Sequence, residues 1–218
     1  MSVKVQSRIL LFFLLISVVA FSQKKVIQKF QSQLNEIEIS TIGLDDFVLE
    51  NSDSEFIEIT LIAENPNKQH IIFKEEYKVV KIEFSFDNFK SEETVFRKYI
   101  TKRLKRANAI IKVPKGKKVT FFGESINIES KSYAGSLAIF IEKGILKLHD
   151  IKEDAEIKLY AGNVYANLKK TNIKVISTLG KIKVDDVLFP KKYEKFDKKL
   201  NNKFSINSIK ANIFLTTE

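Results

Sequence analysis

The chain reads GILKLHDIKEDAEIKLYAGNVYANLKKTNIKVISTLGKIKV from residue 144 to residue 184. Gly144, Gly162 and Gly180 follow one another at intervals of 18 residues, and the second and fourth residues after each glycine are apolar. Two further alternating stretches lie between these units: Ile157-Lys158-Leu159 and Ile173-Lys174-Val175. A fixed period with one glycine turn and two short strands is typical of a stacked β coil, because each unit must cover the apolar face of its neighbour.

The repeat continues towards the end of the chain. Residues 208–215 (SIKANIFL) have the same alternation and follow a lysine-rich insertion over residues 188–203. The sequence therefore predicts an all-β protein with β-solenoid-like stacked repeats in its second half. A β-sandwich is the alternative, because evenly spaced antiparallel hairpins produce a similar pattern.

The first half of the chain also alternates apolar and polar residues, but without a fixed repeat length. The apolar positions include Ile37, Ile39, Phe47, Leu49, Ile57, Ile59, Leu61, Ile82, Phe84 and Phe86. Such alternation is typical of strands that bury one face and expose the other. We expect an antiparallel β-rich first half that continues into the stacked repeats.

Residues 1–22 have the three-part pattern of a secretory signal peptide. Lys4 and Arg8 supply positive charge, an apolar run follows, and the pattern ends in small residues at Ala20 and Ser22. The apolar run is shorter than the roughly 20 residues that a transmembrane helix needs. We therefore expect cleavage after residue 22, no transmembrane anchor after cleavage, and a periplasmic, cell-surface or extracellular location.

The mature chain, residues 23–218, is predicted to be a single β-rich domain. It contains no linker rich in proline, glycine or serine. Apolar residues at helical spacing within residues 23–35 indicate a short amino-terminal arm, which is either an amphipathic helix or an ordered leading segment. Residues 188–203 are expected to form an insertion in this domain.

The chain contains no cysteine. Disulfides, thiolate nucleophiles and cysteine metal sites are therefore excluded. A bacterial lipoprotein also carries its lipid on a cysteine, so this form of anchoring is excluded as well.

The chain is basic, with a formal net charge of +10 that falls to +8 when Lys4 and Arg8 leave with the signal peptide. A basic exported protein favours anionic partners, such as an anionic glycan or lipid surface. The simpler interpretation is that lysine-rich surfaces keep β proteins soluble and protect their edges.

In its glycine-led units the chain resembles a widespread bacterial family of adhesin-like domains of unknown function, found on cell envelopes. The resemblance lies in Ile111-Lys112-Val113-Pro114-Lys115-Gly116, which reads as a strand followed by a Pro-x-Gly turn, and in the later glycine-led units. It covers roughly residues 107 to 187 and the last ten residues. The resemblance implies a repeated β fold at the envelope and supplies no catalytic residues to transfer. The basic segment 97–106 and the lysine-rich residues 191–203 depart from the family pattern.

No catalytic or metal-binding motif is recognisable. The serines lack a Gly-x-Ser-x-Gly motif, and no phosphate-binding loop or dinucleotide fingerprint occurs. The two histidines, His70 and His149, have no further ligands at zinc-binding spacing. We therefore expect no enzymatic activity, no cofactor and no metal.

Three groups of aspartates are candidates for an acid/base pair or a calcium site. Asp45-Asp46 and Asp185-Asp186 are adjacent pairs, and neighbours in a strand point to opposite faces. Asp150 and Asp186 each lie six residues after a repeat glycine, which suggests a shared corner. A calcium site needs six to eight oxygens, so turn formation is the preferred role.

Residues 96–106 form the best candidate interaction patch. Cations and aromatic side chains are interleaved there: Phe96, Arg97, Lys98, Tyr99, Lys102, Arg103, Lys105 and Arg106. Such a patch can contact phosphates while its rings stack or insert. Because the signal peptide conflicts with cytoplasmic nucleic acid as a partner, an anionic envelope surface fits better, although a solvated loop explains the same residues.

The leading functional hypothesis is an exported, non-enzymatic envelope protein with an adhesin-like binding or structural role. Two alternatives remain open. One is an accessory subunit of an envelope-stress or signalling system that binds another protein. The other is a periplasmic carrier of an apolar ligand, which would need a closed cavity rather than an exposed patch.

Overall fold

The computed structural model describes residues 24–86 and 107–217, and these residues form an all-β structure. The predicted fold class is confirmed at this level. A single 3-10 turn, Lys68–His70, is the one helical element among the described residues. The strands are β1 Lys24–Gln31, β2 Glu36–Ser40, β3 Asp46–Asn51, β4 Phe56–Ala63, β5 Ile71–Glu76, β6 Val79–Phe84, β7 Asn108–Val113, β8 Lys118–Ser125, β9 Asn127–Lys131, β10 Leu137–Ile151, β11 Ala155–Leu168, β12 Asn172–Ser177, β13 Ile182–Val184, β14 Val187–Phe189, β15 Lys192–Lys195 and β16 Lys203–Thr217.

The strands are hydrogen-bonded into one sheet that runs in two rows. The first row has the order β5, β6, β2, β8, β10, β11, β16, β12, β15. The second row has the order β1, β4, β7, β3, β9, β10, β11, β16, and then β13 and β14. The long strands β10, β11 and β16 belong to both rows, because each pairs through its first half in one row and through its second half in the other.

Neighbouring long strands are parallel, and the repeat length sets the register of β10 on β8, β9 and β11. Leu137 pairs with Val119 and with Ala155, so each residue lies beside the residues 18 positions before and after it. Gly144 pairs with Gly162 in the same register. The period of 18 residues in the sequence is therefore the offset between paired residues on β8, β10 and β11.

The third glycine unit does not follow the second in space. β16 lies between β11 and the segment that contains β12 and β13, so Gly162 pairs with Ala211. The nearest heavy atom to the Cβ position of Gly180 is the Ala211 carbonyl oxygen. The strand expected in residues 208–215 is present, but it belongs to β16 and lies between β11 and the strands β12 and β13.

The prediction of an antiparallel first half is only partly right. β1–β4, β4–β7 and β5–β6 are antiparallel. β2 and β3, in contrast, pair in parallel with β8 and β9, across 81 or 82 residues of sequence. The first half thus supplies a rung of the parallel ladder as well as antiparallel strands at one end.

The amino-terminal arm and the insertion both form edge strands. The helical alternative for residues 23–35 is wrong, because β1 runs antiparallel to β4 and the Phe30 ring stacks on Phe73 at 4.2 Å between centroids. In the insertion, β14 pairs with β13 and β15 pairs with β12, both antiparallel. Antiparallel strands therefore close both ends of the parallel ladder.

The core lies between the two rows. Phe47 of β3 in the second row meets Phe121 of β8 in the first row, with ring centroids 4.7 Å apart in an edge-to-face arrangement. Both side chains are fully buried. They belong to one continuous hydrophobic cluster, which explains why the inward residues alternate with polar residues along nearly every strand.

A column of asparagines runs beside the corner where the chain passes from one row to the other. The Asn127 amide donates to Asp46 Oδ1 at 3.0 Å, and Asn127 Oδ1 accepts the backbone N–H of Ile145 at 3.0 Å. Further along, Asn212 donates to Asn163 Oδ1 at 3.1 Å. Ile145 interrupts the column between Asn127 and Asn163, and its side chain is exposed.

Replacing Ile145 by asparagine is expected to raise the free energy of unfolding by about 0.5–1 kcal/mol. The new amide would donate to Asn127 and accept from Asn163, which would complete a ladder of the kind that stabilises stacked parallel strands. Chemical denaturation measures the change. The Ile145→Ala variant is the control, and equal stability of the two variants would contradict the ladder.

Candidate binding surface

The candidate patch predicted from the sequence lies outside the described residues. Phe96, Arg97, Lys98, Tyr99, Lys102, Arg103, Lys105 and Arg106 all fall between residues 87 and 106. The patch therefore stays a prediction, and the surface described below is built from other residues.

The outward side of the first row carries aromatic rings on three adjacent parallel strands; those of Phe122 and Tyr160 are exposed and that of Phe140 is half-buried. Phe122 of β8 and Phe140 of β10 are register partners, and their ring centroids are 5.6 Å apart. Tyr160 lies further along the neighbouring strand β11 and is 49% exposed. We call Phe122, Phe140, Lys158, Tyr160 and Lys210 the outer aromatic face.

Two lysines of the outer aromatic face lie over its rings. Lys158 is the register partner of Phe140, and its ammonium nitrogen is 5.1 Å from the ring centroid. The Lys210 ammonium is 5.4 Å from the Tyr160 ring centroid. Cation–π contacts at this distance are weak at exposed sites, and the Lys158 ammonium is also paired with Glu156 at 2.7 Å.

The sequence contained a signal for part of this surface. Phe122, Phe140 and Lys158 are spaced by 18 residues, the same interval as the glycines. Because residues one repeat apart lie side by side in a parallel ladder, extending the period back to residue 122 would have placed these side chains together. Tyr160 and Lys210 come from strands whose register is not set by the period, so their contact needed the structure.

Asp185 and Asp186 take turn positions in the structure, whereas Asp46 and Asp150 belong to strands. Asp185 and Asp186 form the two-residue turn between β13 and β14, with φ of 45° and 69°. Positive φ at both central residues is the pattern of a tight hairpin turn that favours Asp, Asn and Gly. Asp150 belongs to β10, from which β13 is separated by β11 and β16, so Asp150 and Asp186 do not lie on successive turns.

Asp185 is held by the last described residue. Its carboxylate accepts a hydrogen bond from the Thr217 hydroxyl and another from the Thr217 backbone N–H at 2.7 Å. These bonds lower the pKa of Asp185 below its ordinary value, with the hydroxyl contributing most. Asp185 thereby ties the β13–β14 turn to the end of β16.

Replacing Asp185 by asparagine is expected to destabilise the protein near neutral pH, by less than about 1 kcal/mol because the group is exposed. A depressed folded-state pKa stabilises the fold above the unfolded pKa of about 3.9, and this contribution is lost as the pH falls through the folded pKa. The difference in melting temperature between wild type and variant should therefore shrink in acid. The control is Asp186→Asn, and a difference that stayed constant with pH would contradict the account.

The histidines serve local structure. His70 Nδ1 accepts the backbone N–H of Asn67 at 3.2 Å in the cap of the 3-10 turn, and His149 Nε2 is 3.2 Å from Glu129 Oε1. Within residues 24–86 and 107–217, no group of three or more His, Asp or Glu side chains is placed to hold a metal ion. In the same two ranges, no helix is long and apolar enough to cross a membrane.

Solved structures with a similar fold include a "putative cell adhesion protein" from Clostridium sporogenes. The two chains share 13% identity over 90% of this chain and all of the other, with a TM-score of 0.61. A "putative adhesin" from Bacteroides fragilis aligns over 90% of this chain and 98% of its own length at 11% identity, with a TM-score of 0.40. No family model and no curated protein matches the sequence.

The Clostridium sporogenes structure shows that this chain has a fold used by a protein described as adhesive. The resemblance to adhesin-like domains, drawn above from the glycine-led units, is confirmed at the level of the fold. At this identity the similarity concerns the backbone and not the residues of a site.

Proposed function

We propose that this chain is an exported, non-enzymatic binding protein of the adhesin type, and that the outer aromatic face is its contact surface. The observation that carries the proposal is the group of aromatic rings on three adjacent parallel strands, of which Phe122 and Tyr160 are exposed and Phe140 is half-buried. Aromatic side chains are enriched where proteins bind partners.

The architecture supports a binding role because it displays side chains in rows. We infer that the parallel ladders form a stacked β coil, in the order β2–β3, β8–β9, β10, β11, β16 and β12–β13. Residues on successive rungs of such a coil lie at the strand spacing of about 4.8 Å. A rigid coil would hold its rings in place before a partner arrives, which reduces the ordering entropy lost on binding.

Export is supported by the pattern in residues 1–22. A cleaved chain starting at Gln23 would place the basic domain at or beyond the envelope, where anionic surfaces are available as partners. The absence of cysteine agrees with a fold that relies on its core and not on disulfides. Catalysis is not part of the proposal, since the sequence contains no recognisable catalytic motif.

The proposal is tested by measuring how much labelled mature chain, residues 23–218, binds to envelopes isolated from the source organism. Serine at both Phe122 and Tyr160 should weaken binding by at least about tenfold, because aromatic anchors carry much of the energy of an interface. Both side chains are exposed, so the fold should remain intact.

The control for this experiment uses a second pair of rings on the other row. Tyr165 and Phe214 stack with centroids 5.0 Å apart, and Tyr165 is similarly exposed. Serine at Tyr165 should leave envelope binding unchanged. Equal losses for the two surfaces, or no loss at the outer aromatic face, would refute the assignment of that face.

A further inference from the structure

The antiparallel strands β14 and β15, which close the carboxy-terminal end of the ladder, carry exposed apolar side chains and lysines outside the outer aromatic face. We call residues 187–203 the end cap. β14 pairs with β13 and β15 pairs with β12, so the chain crosses from the second row to the first. The Phe189 and Tyr193 rings, 4.7 Å apart, pack against the core and anchor the crossing.

The end cap exposes several apolar side chains. Leu188 is 67% exposed and Phe196 is 76% exposed. Val187 is exposed on the same strand as Leu188, and Leu179 is exposed in the loop before β13. Single exposed apolar residues are ordinary, whereas several strongly exposed ones at one end indicate an interaction surface.

The end cap is also strongly basic. Residues 188–203 contain six lysines, at positions 191, 192, 195, 198, 199 and 203, against Glu194 and Asp197. Glu194 is already paired, with Lys192 at 3.0 Å and Lys174 at 3.9 Å. Within the described part of the chain, the ammonium groups of Lys198, Lys199 and Lys203 take part in no ion pair. Their charge is available to an anionic partner.

A preformed groove of about 600 Å³ lies between the end cap and β12. Lys174, Lys195 and Lys203 line it together with Phe196 and Leu200. Asn172 fixes its wall, since its amide donates to the Leu200 carbonyl and its oxygen accepts the Asp197 N–H, each at 2.7 Å. The groove is therefore lined by both cations and apolar side chains.

We infer that the end cap docks onto an anionic lipid bilayer surface. In this arrangement Phe196 and Leu188 enter the boundary between headgroups and acyl chains, while the lysines contact lipid phosphates. A soluble polyanion would engage the lysines but leave the exposed leucines and phenylalanine in water. The combination of both features in one place favours a membrane surface over an acidic glycan or nucleic acid.

This inference rests on the proposed export, and it assigns the lipid surface to a different part of the molecule from the outer aromatic face. Its test is sedimentation of the mature chain with phosphatidylcholine vesicles, with and without phosphatidylglycerol. We expect binding only when phosphatidylglycerol is present. Phe196→Ser should weaken it by about tenfold, the value of one buried aromatic side chain, and the double reversal Lys198→Glu with Lys199→Glu by more than about tenfold.

The opposite end of the ladder provides the matched control. Tyr77 is 92% exposed beside Lys78 in the β5–β6 turn, so Tyr77→Ser with Lys78→Glu removes a ring and reverses a charge far from the end cap. This variant should bind like wild type. Binding that ignores Phe196, or that is equal without phosphatidylglycerol, would overturn the inference. A chain that binds isolated envelopes through Phe122 and Tyr160 but ignores anionic vesicles would refute lipid docking and leave the proposed function standing.

Discussion

Replacing Gly162 by alanine is expected to lower the free energy of unfolding by more than about 3 kcal/mol. Gly162 has φ of 136°, and a Cβ there would overlap the carbonyl oxygen of Gly144 on the neighbouring strand. The overlap involves backbone atoms on both sides, so no side-chain rotation can relieve it. Either the β10–β11 ladder separates at the corner or the strand shifts.

The control for this prediction is Gly116→Ala. Gly116 also has a positive φ, 82°, but no atom lies within 4 Å of its Cβ position. Alanine there should cost only about 1–2 kcal/mol, from the backbone conformation alone. Denaturant unfolding of the two variants distinguishes two contributions to the loss of stability: the overlap between neighbouring strands and the strained backbone conformation. Equal losses would show that the corner is not packed as described.

Replacing Phe121 by alanine is expected to cost about 3–5 kcal/mol, the usual range for deleting a buried aromatic ring. Phe121 is fully buried and meets Phe47 across the core, so the deletion would leave a cavity between the two rows. Part of the loss should be coupling to Phe47. A double-mutant cycle with Phe47→Ala should give an interaction energy of about 0.5–1.5 kcal/mol.

The next residue along β8 tests the direction in which this strand faces. Phe122 is 43% exposed on the outer aromatic face, so Phe122→Ala should cost less than about 1 kcal/mol. A one-residue slip of β8 would exchange the two results, because it would turn every side chain to the other face. Comparable losses at Phe121 and Phe122 would contradict the assignment of core and surface.

The inward faces of the strands could be predicted from the sequence, because they follow from the local alternation of apolar and polar residues. Alternation identified the inward faces, and the interval between Gly144 and Gly162 set the register of β10 on β11. The Asp185-Asp186 turn also followed from residue type. These features depend on neighbours in sequence or on one repeat length.

The order of the rungs could not be predicted in this way. Where the long strands pass from one row to the other, neighbouring strands place a column of residues side by side. Their order is Ile126, Gly144, Gly162, Ala211 and Gly180. Two of the five positions are therefore not glycine, so the glycine pattern identifies the column incompletely. The insertion of β16 between β11 and β12 rests on long-range packing, for which no local pattern exists.

The binding surfaces were predicted least well, for a related reason. The outer aromatic face joins Tyr160 to Lys210 across strands that are 50 residues apart in sequence. The lysines of residues 188–203 were recognised, but as an insertion and not as a cap. Exposure of Phe196 and Leu188 follows from the antiparallel pairing of β14 and β15 at the end of the ladder, which composition alone does not indicate.

Fractionation of native cells, with mass spectrometry of the amino terminus in each fraction, tests the proposed function most directly. We expect a chain that begins at Gln23 and is found in the envelope, periplasmic or extracellular fraction. An intact Met1 on a chain confined to the cytoplasm would contradict it. That result would exclude binding at the envelope and make nucleic acid a candidate partner for the basic residues.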